Sequence, residues 1–140
     1  MIQHLQHLIS GMELNPPVTQ DDIQAVEQQF GCTFPDDYRA FLRITNGVEG
    51  PIGRCSYIAL WTLQELIERN DGYQVATYAP GLVLFGGDGG GEAYAFDTRF
   101  PTIPIVQVSY IGMSLDDDEL ISLAPTFAAF LQKAYDDIDC

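Results

Sequence analysis

The chain has 140 residues, of which 46% are hydrophobic, so one domain can fold on its own core without a disulfide framework or a structural metal. Twenty acidic residues against six basic ones give a net charge of −14. Nucleic acids and anionic membranes are bound through clustered Lys and Arg, so this charge excludes both and favours a basic protein partner, although acidity also keeps a protein soluble.

Cysteine usage and the first ten residues predict the compartment. Cys32, Cys55 and Cys140 have neither the even number nor the spacing of a disulfide framework, which favours a reducing environment. Residues 1–10 lack a basic segment followed by a long apolar one, and no apolar run approaches the roughly 18 residues of a membrane span. We therefore expect a cytoplasmic protein. No linker or repeat interrupts the sequence, which predicts a single domain over residues 1–140.

Three helices are predicted in the first third of the chain. Apolar residues at spacings of three and four, together with capping residues, give their limits: Ile2 to Ile9, Thr19 to Gly31, and Pro35 to Asn46–Gly47. Thr19 and Asp22 have the spacing of a capping box, and Gly31 suits the left-handed residue that ends a helix. Asn46 and Gly47 are predicted to stop the third helix.

The middle of the chain predicts a loop, a strand and a fourth helix. The loop contains Pro51 between two glycines, and Ser56 to Trp61 follows as the strand. Thr62 and Glu65 form a second capping box, which opens a helix that runs to about Asn70.

The second half changes to the alternating pattern of strands. These are predicted over Leu82 to Phe85, Glu92 to Asp97 and Ile105 to Tyr110, the first two being joined by a glycine-rich turn from Gly86 to Gly91. A last helix starts at Ser122 or Thr126 and has an apolar face made of Phe127, Phe130, Leu131, Ala134 and Ile138. Segregated helices and strands predict an α+β fold with helices packed on a mainly antiparallel sheet.

No segment carries the signature of an enzyme, a cofactor site or a metal site. The glycine cluster lacks the lysine and the following helix of a phosphate-binding loop, so a hairpin turn is favoured. His4 and His7 lie near a chain end that is expected to fray, which disfavours a catalytic couple. The acidic run from Asp116 to Glu119 lacks the alternating ligands of a calcium loop. We expect no catalytic residue, no cofactor and no metal.

Five aromatic residues have two open interpretations: Trp61, Tyr57, Tyr73, Tyr78 and Tyr110. Trp and Tyr are enriched at the centres of protein interfaces, but they also fill cores and core edges. The core is favoured for Trp61, whereas Tyr110, at the end of a strand, is open to either interpretation.

Several sequence blocks occur in a fixed order: Val26 to Gly31, Phe34 to Leu42, Asn46–Gly47, Trp61 to Ile67, Gly86 to Asp97, Pro104 to Val106, and the helix that contains Phe127, Phe130 and Leu131. Together these blocks resemble the SUKH superfamily, the SMI/KNR-type domain. The match extends from about Thr19 to Asp136. Their order and spacing together carry the resemblance.

The resemblance implies an α+β fold and two broad roles. Bacterial members are mostly immunity proteins that bind and neutralise toxins, and fungal members regulate cell-wall assembly as interaction hubs. Neither role uses catalytic residues of the domain, and recognition surfaces differ between members, so the motifs identify no partner-binding residue. The short chain favours the immunity branch.

The leading hypothesis is a non-catalytic immunity protein that neutralises a toxin by stoichiometric binding, a basic nuclease being one candidate partner. The predicted partner-binding surface combines the glycine turn with the acidic run: Asp88, Glu92, Tyr110, Asp116, Asp117, Asp118 and Glu119. Acidic side chains there would steer a basic partner and mimic its anionic substrate. The alternatives are a regulatory scaffold of the same family without a toxin, and a sensor for a small ligand or a metal.

Overall fold

The computed structural model describes residues 2–138, which form six helices and six strands. In chain order they are α1 (Ile2–Leu8), α2 (Gln20–Phe30), α3 (Asp36–Leu42), β1 (Val48–Ile52), β2 (Ser56–Leu60), α4 (Leu63–Gly72), α5 (Val75–Tyr78), β3 (Leu82–Gly87), β4 (Glu92–Asp97), β5 (Ile105–Ser109), β6 (Ile121–Ala124) and α6 (Phe127–Asp136). The strands form one sheet in the order β1-β2-β3-β4-β5-β6, with every neighbouring pair antiparallel. The predicted α+β fold on an antiparallel sheet is confirmed.

The helix limits that depend on capping chemistry are confirmed. The Thr19 side chain accepts a hydrogen bond from the Asp22 N–H, and the Asp22 carboxylate accepts one from the Thr19 N–H. Gly31 ends α2 with a φ of 68°. Thr126 caps α6, so of its two predicted start points the later one is confirmed. These signals are local, which is why the sequence alone contains them.

Asn46 and Gly47 do not stop α3, because that helix already ends at Leu42. Instead the Asn46 side chain accepts a hydrogen bond from the Leu63 N–H at 2.8 Å, at the start of α4. Gly47 has a φ of 73°, and a Cβ there would lie 2.6 Å from the Leu60 carbonyl oxygen. The dipeptide therefore holds the chain against the end of β2 and the beginning of α4.

Three elements were missed by the sequence prediction: β1, β6 and α5. The segment around Pro51 was predicted to be a loop, but it is the edge strand β1, where a missing N–H is tolerated. β6 occupies the alternative start of the last helix and is the opposite edge strand. The last helix ends at Asp136, so Ile138 lies beyond it and, being exposed, does not belong to the predicted apolar face.

The centre of the fold is a cluster of stacked and edge-on rings, which we call the aromatic core. Tyr38 of α3 is 1% exposed, and its ring lies 4.8–6.2 Å from the rings of Phe41, Phe85, Phe96 and Phe127. Among the described residues, the Tyr38 hydroxyl has no hydrogen-bond partner, and burial raises its pKa. The aromatic core joins α3 and α6 to one face of β3 and β4.

Buried polar side chains fasten the helices to their neighbours. Asp37 of α3 accepts a hydrogen bond from the Ala128 N–H at 2.8 Å, which connects α3 to the start of α6. Asn70 of α4 accepts one from the Leu84 N–H and donates to the Leu84 carbonyl, so it connects α4 to β3. Such groups are stable inside a protein because each is hydrogen-bonded.

The chain end expected to fray is instead packed, since Leu5 and Leu8 of α1 are buried. Cys32 is a half-buried free thiol, and Cys55 is disulfide-bonded, which the cysteine number did not predict. Cys140 lies outside the described residues. Over residues 2–138, no helix is both long and apolar enough to cross a membrane.

Candidate protein-binding cleft

An open cleft of about 470 Å³ lies where β2 and β3 diverge. These strands pair only through Ala59 with Gly87 and Leu60 with Gly86, because β3 then enters the glycine-rich turn. The side chains that give the cleft its character are Glu49, Trp61, Glu65, Arg69, Tyr73 and Tyr110. We call this site the aromatic cleft.

One wall of the aromatic cleft comes from the junction of β2 and α4. The Trp61 N–H donates to the Phe85 carbonyl at 2.9 Å, which fixes the residue at the end of the strand. The Arg69 guanidinium lies over the Trp61 ring, 5.1 Å from its centroid. Trp61 is only 5% exposed, so its predicted burial is confirmed, although it also lines the cleft.

Glu65 connects the helix cap to this arginine. Its Oε1 accepts a hydrogen bond from the Thr62 N–H at 3.1 Å, which completes the predicted capping box. Its Oε2 accepts two from Arg69, at 2.9 and 3.2 Å, because residues four apart share a helix face. One carboxylate therefore serves the backbone and a charged side chain together.

The charges of this pair reinforce each other. The hydrogen bond to Glu65 raises the pKa of Arg69, and electrostatic interaction with the Tyr73 and Tyr110 phenols also raises it. Burial alone would raise the pKa of Glu65, but hydrogen bonds from the Thr62 N–H and from Arg69 outweigh it and lower that pKa. At neutral pH the aromatic cleft contains a carboxylate and a guanidinium.

A second wall is a pair of tyrosines. The Tyr73 and Tyr110 rings lie 4.7 Å apart with an interplanar angle of 30°. Burial raises the pKa of Tyr110 to about 12, so its phenol is neutral at physiological pH. A Cβ at Gly87 would lie 2.6 Å from the Tyr110 hydroxyl, and only glycine leaves room for this ring.

The third side of the cleft is formed by β1, β2 and the glycine turn. Tyr57 is 43% exposed and does not line the cleft itself, but its hydroxyl donates to the carboxylate of the lining residue Glu49 at 2.8 Å. Its ring lies against Gly89, where an added Cβ would be 3.0 Å away. Ile111, directly after Tyr110, is 89% exposed.

The structure places three of the predicted site residues together at the cleft end of the sheet. Asp88 and Glu92 flank the glycine turn, and the Tyr110 N–H donates to the Gly91 carbonyl. The Asp88 carboxylate accepts the Gly90 N–H at 2.8 Å, and its charge helps to raise the pKa of Tyr110. Asp88 therefore shapes the turn and also adds negative charge at the cleft.

The acidic run from Asp116 to Glu119 lies elsewhere. The hydrogen bond to Asp97, at 2.8 Å, raises the pKa of the Arg99 guanidinium, and Asp117 is close enough to add to this effect. Asp97 ends β4 whereas Glu92 begins it, a separation of about 17 Å at the rise of a strand. The structure does not bring the two halves of the predicted surface together.

Sequence reasoning missed Glu49, Glu65 and Arg69 as site residues. Glu65 and Arg69 are four residues apart on a helix that begins just after Trp61, and this spacing is a sequence signal for a charged pair beside an aromatic ring. Tyr78 is exposed but is not among the residues that line the cleft. Within residues 2–138, no group of three or more His, Cys, Asp and Glu side chains is arranged to hold a metal ion.

Helices on an antiparallel sheet with an open, ring-lined cleft define a domain suited to binding, and comparison with known proteins identifies its family. Residues 17–133 match the SMI1 / KNR4 family (SUKH-1), so the chain belongs to that family and the resemblance is confirmed. The family includes immunity proteins. The chain is also similar to the uncharacterized protein YnaB of Bacillus subtilis (strain 168), at 32% identity over 111 residues, which cover 79% of this chain and 72% of YnaB.

Proposed function

We propose that this protein is a non-catalytic immunity protein that neutralises a basic toxin by binding it at the aromatic cleft. The observation that carries the proposal is the gathering of Trp61, Arg69 and two tyrosines on one open concave surface, since Trp, Tyr and Arg dominate the energetics of protein interfaces. Family membership supports a binding role.

The negative charge of this protein supports a basic partner. The Glu49 carboxylate lines the cleft, and the Asp88 charge is close enough to raise the pKa of Tyr110, on a chain of net charge −14. Opposite charge accelerates encounter and suppresses wrong partners, and the buried centre of an interface then sets the dissociation rate. The proposed mechanism is occlusion of a toxin surface by a tightly packed, stoichiometric complex.

A binding rather than a catalytic role is supported by the engagement of the acid–base groups of the cleft. Glu65 is hydrogen-bonded to Thr62 and Arg69, and the Tyr110 phenol stays protonated at neutral pH. Both histidines lie on α1, outside the cleft lining. A cytoplasmic location belongs to the same proposal, and cell fractionation tests it.

The acidic run from Asp116 to Glu119 is proposed as a steering surface. Because it lies away from the cleft, replacing its four acids with Asn and Gln should slow association with the toxin and reduce the salt dependence of that rate. The dissociation rate should stay unchanged. Stopped-flow kinetics with unchanged association would remove the run from the recognition surface.

The function is tested with the purified product of the neighbouring gene. Calorimetry should give a stoichiometry of one to one, and toxin activity should disappear at equivalence. Tyr73→Ala should weaken binding about thirtyfold, as at an interface hot spot, whereas Tyr78→Ala, which removes an exposed tyrosine outside the cleft, should have little effect.

Each outcome of this test decides between the roles of the family. A folded neighbouring product that does not bind contradicts the immunity function. Binding without loss of toxin activity favours the regulatory scaffold. Equal effects of Tyr73→Ala and Tyr78→Ala would place the interface away from the aromatic cleft.

A further inference from the structure

Arg69 fills a cation-binding box made of its own neighbours. Trp61 lies beneath the guanidinium at 5.1 Å, and Glu65 accepts two hydrogen bonds from it. The Tyr73 and Tyr110 side chains line the same cleft, and their phenols are close enough to raise the pKa of Arg69. Aromatic faces with a carboxylate are the combination that proteins use to hold organic cations.

The occupant of this box is only loosely enclosed. The Arg69 side chain is 44% exposed, whereas Trp61 beneath it is 5% exposed. Arg69 belongs to the last turn of α4, and an exposed pair between residues four apart contributes little stability. Its displacement into water would leave a preformed box with an aromatic floor and a carboxylate.

We propose that the box of Trp61, Glu65, Tyr73 and Tyr110 receives an arginine side chain of the protein partner, and that Arg69 occupies it in the free protein as an internal competitor. That the partner is a basic protein rests on the proposed function. The box adds to that function because it identifies an arginine side chain as the group of the partner that is recognised. A planar guanidinium can lie on the Trp61 face while two of its N–H groups donate to Glu65 Oε2, as those of Arg69 do, which an ammonium group matches less well.

Competition has a measurable consequence. When only part of the protein has its site open, the apparent dissociation constant equals the intrinsic constant divided by the open fraction, so binding looks weaker. Removing the internal arginine therefore increases affinity for an added one. If Arg69 instead served as a ligand for an acidic group of the partner, its removal would weaken binding.

The chain provides its own reporter, because Trp61 is its single tryptophan. The probe is the peptide acetyl-Gly-Arg-Gly-amide, with acetyl-Gly-Gln-Gly-amide as its uncharged counterpart, titrated at physiological ionic strength. The arginine peptide should change Trp61 fluorescence with saturation. The Arg69→Gln variant should bind this peptide about tenfold more tightly than wild type does, a difference that corresponds to about one cation–π contact. The glutamine peptide should bind neither protein.

Two further variants separate the box from general electrostatics. Arg43→Gln changes the net charge by the same amount at the C-terminal cap of α3, outside the cleft, and should leave the affinity unchanged. Glu65→Gln in the Arg69→Gln background keeps an acceptor for the helix cap but loses the carboxylate, so it should weaken peptide binding about tenfold. Thermal unfolding of each variant confirms that it is folded.

The inference is overturned if the arginine peptide leaves Trp61 fluorescence unchanged in the Arg69→Gln variant. It is also overturned if Arg69→Gln binds no more tightly than Arg43→Gln. Neither result affects the test of the proposed function, which measures toxin binding through Tyr73→Ala. If the toxin binds with the cleft but the peptide does not, the immunity function stands and the arginine receptor fails.

Discussion

The aromatic core and the aromatic cleft are built from the same residue types but differ in closure and charge. In the core, Tyr38 is surrounded by phenylalanines, and its hydroxyl has no partner among the described residues. In the cleft, the rings of Trp61, Tyr73 and Tyr110 adjoin a carboxylate and a guanidinium. Rings packed on all sides stabilise the fold, whereas rings left open beside charges are suited to recognition.

The largest expected effect separates the two clusters by stability. Phe85→Ala removes a ring that packs on Tyr38, Phe96 and Phe127 and should lower the free energy of unfolding by about 4 kcal/mol. Tyr73→Ala removes a partly exposed ring and should cost about 1 kcal/mol or less. Urea denaturation measures both, and equal losses would show that the cleft is a second core.

The helix caps and strand alternation were predictable from the sequence because they depend on neighbours within a few residues. Thr19 with Asp22 and Thr62 with Glu65 are such pairs. The edge strand β1 was not predictable from its own residues, because Gly50 and Pro51 break most strands, and it is stabilised by pairing with β2 and by the burial of Val48 and Ile52. The other edge strand, β6, pairs with β5, which lies outside a local sequence window.

The candidate site was predictable in part. Three of the five aromatic residues that the sequence offers as interface anchors line the cleft, namely Trp61, Tyr73 and Tyr110, but their meeting depends on how the ends of β2, α4 and β5 are arranged in space. The opposite error arose for charge: Asp88 and Asp117 were assigned to one surface, although they lie toward opposite ends of β4. Composition contains no information about strand direction.

A second prediction sharpens the comparison at the boundary of the cleft. Gly87→Ala introduces a methyl group 2.6 Å from the Tyr110 hydroxyl and 2.9 Å from the Glu92 carbonyl oxygen, so it should cost about 2 kcal/mol and displace the ring. Gly91→Ala has open space around the new Cβ and should change stability by less than about 0.5 kcal/mol. Thermal unfolding and Trp61 fluorescence report the two effects, and identical behaviour would show that Gly87 does not shape the cleft.

A third prediction concerns the polar atom of the core. Tyr38→Phe removes a hydroxyl that is buried without a protein partner, and it should raise the free energy of unfolding by about 1 kcal/mol. The same change at Tyr110 should not stabilise the protein, because that residue is half-buried at an open site. Urea denaturation measures the effect. A loss of stability in Tyr38→Phe would show that the Tyr38 hydroxyl does make a stabilising hydrogen bond in the folded protein.

The smallest effect tests the charge that distinguishes the cleft. The folded-state pKa of Glu65 is lowered from its ordinary value of 4.5, so its ionised form stabilises the fold above that pH, and the contribution disappears as the pH falls through the lower folded-state value. Because the pair is exposed, we expect less than about 1 kcal/mol. The stability difference between wild type and Glu65→Gln should be constant above about pH 5 and should shrink in more acidic solution. If the stability difference between the two proteins stays constant into the acidic range, the charge of the Glu65 carboxylate contributes nothing to stability. The contrast between a neutral core and a charged cleft would then depend on Arg69 alone.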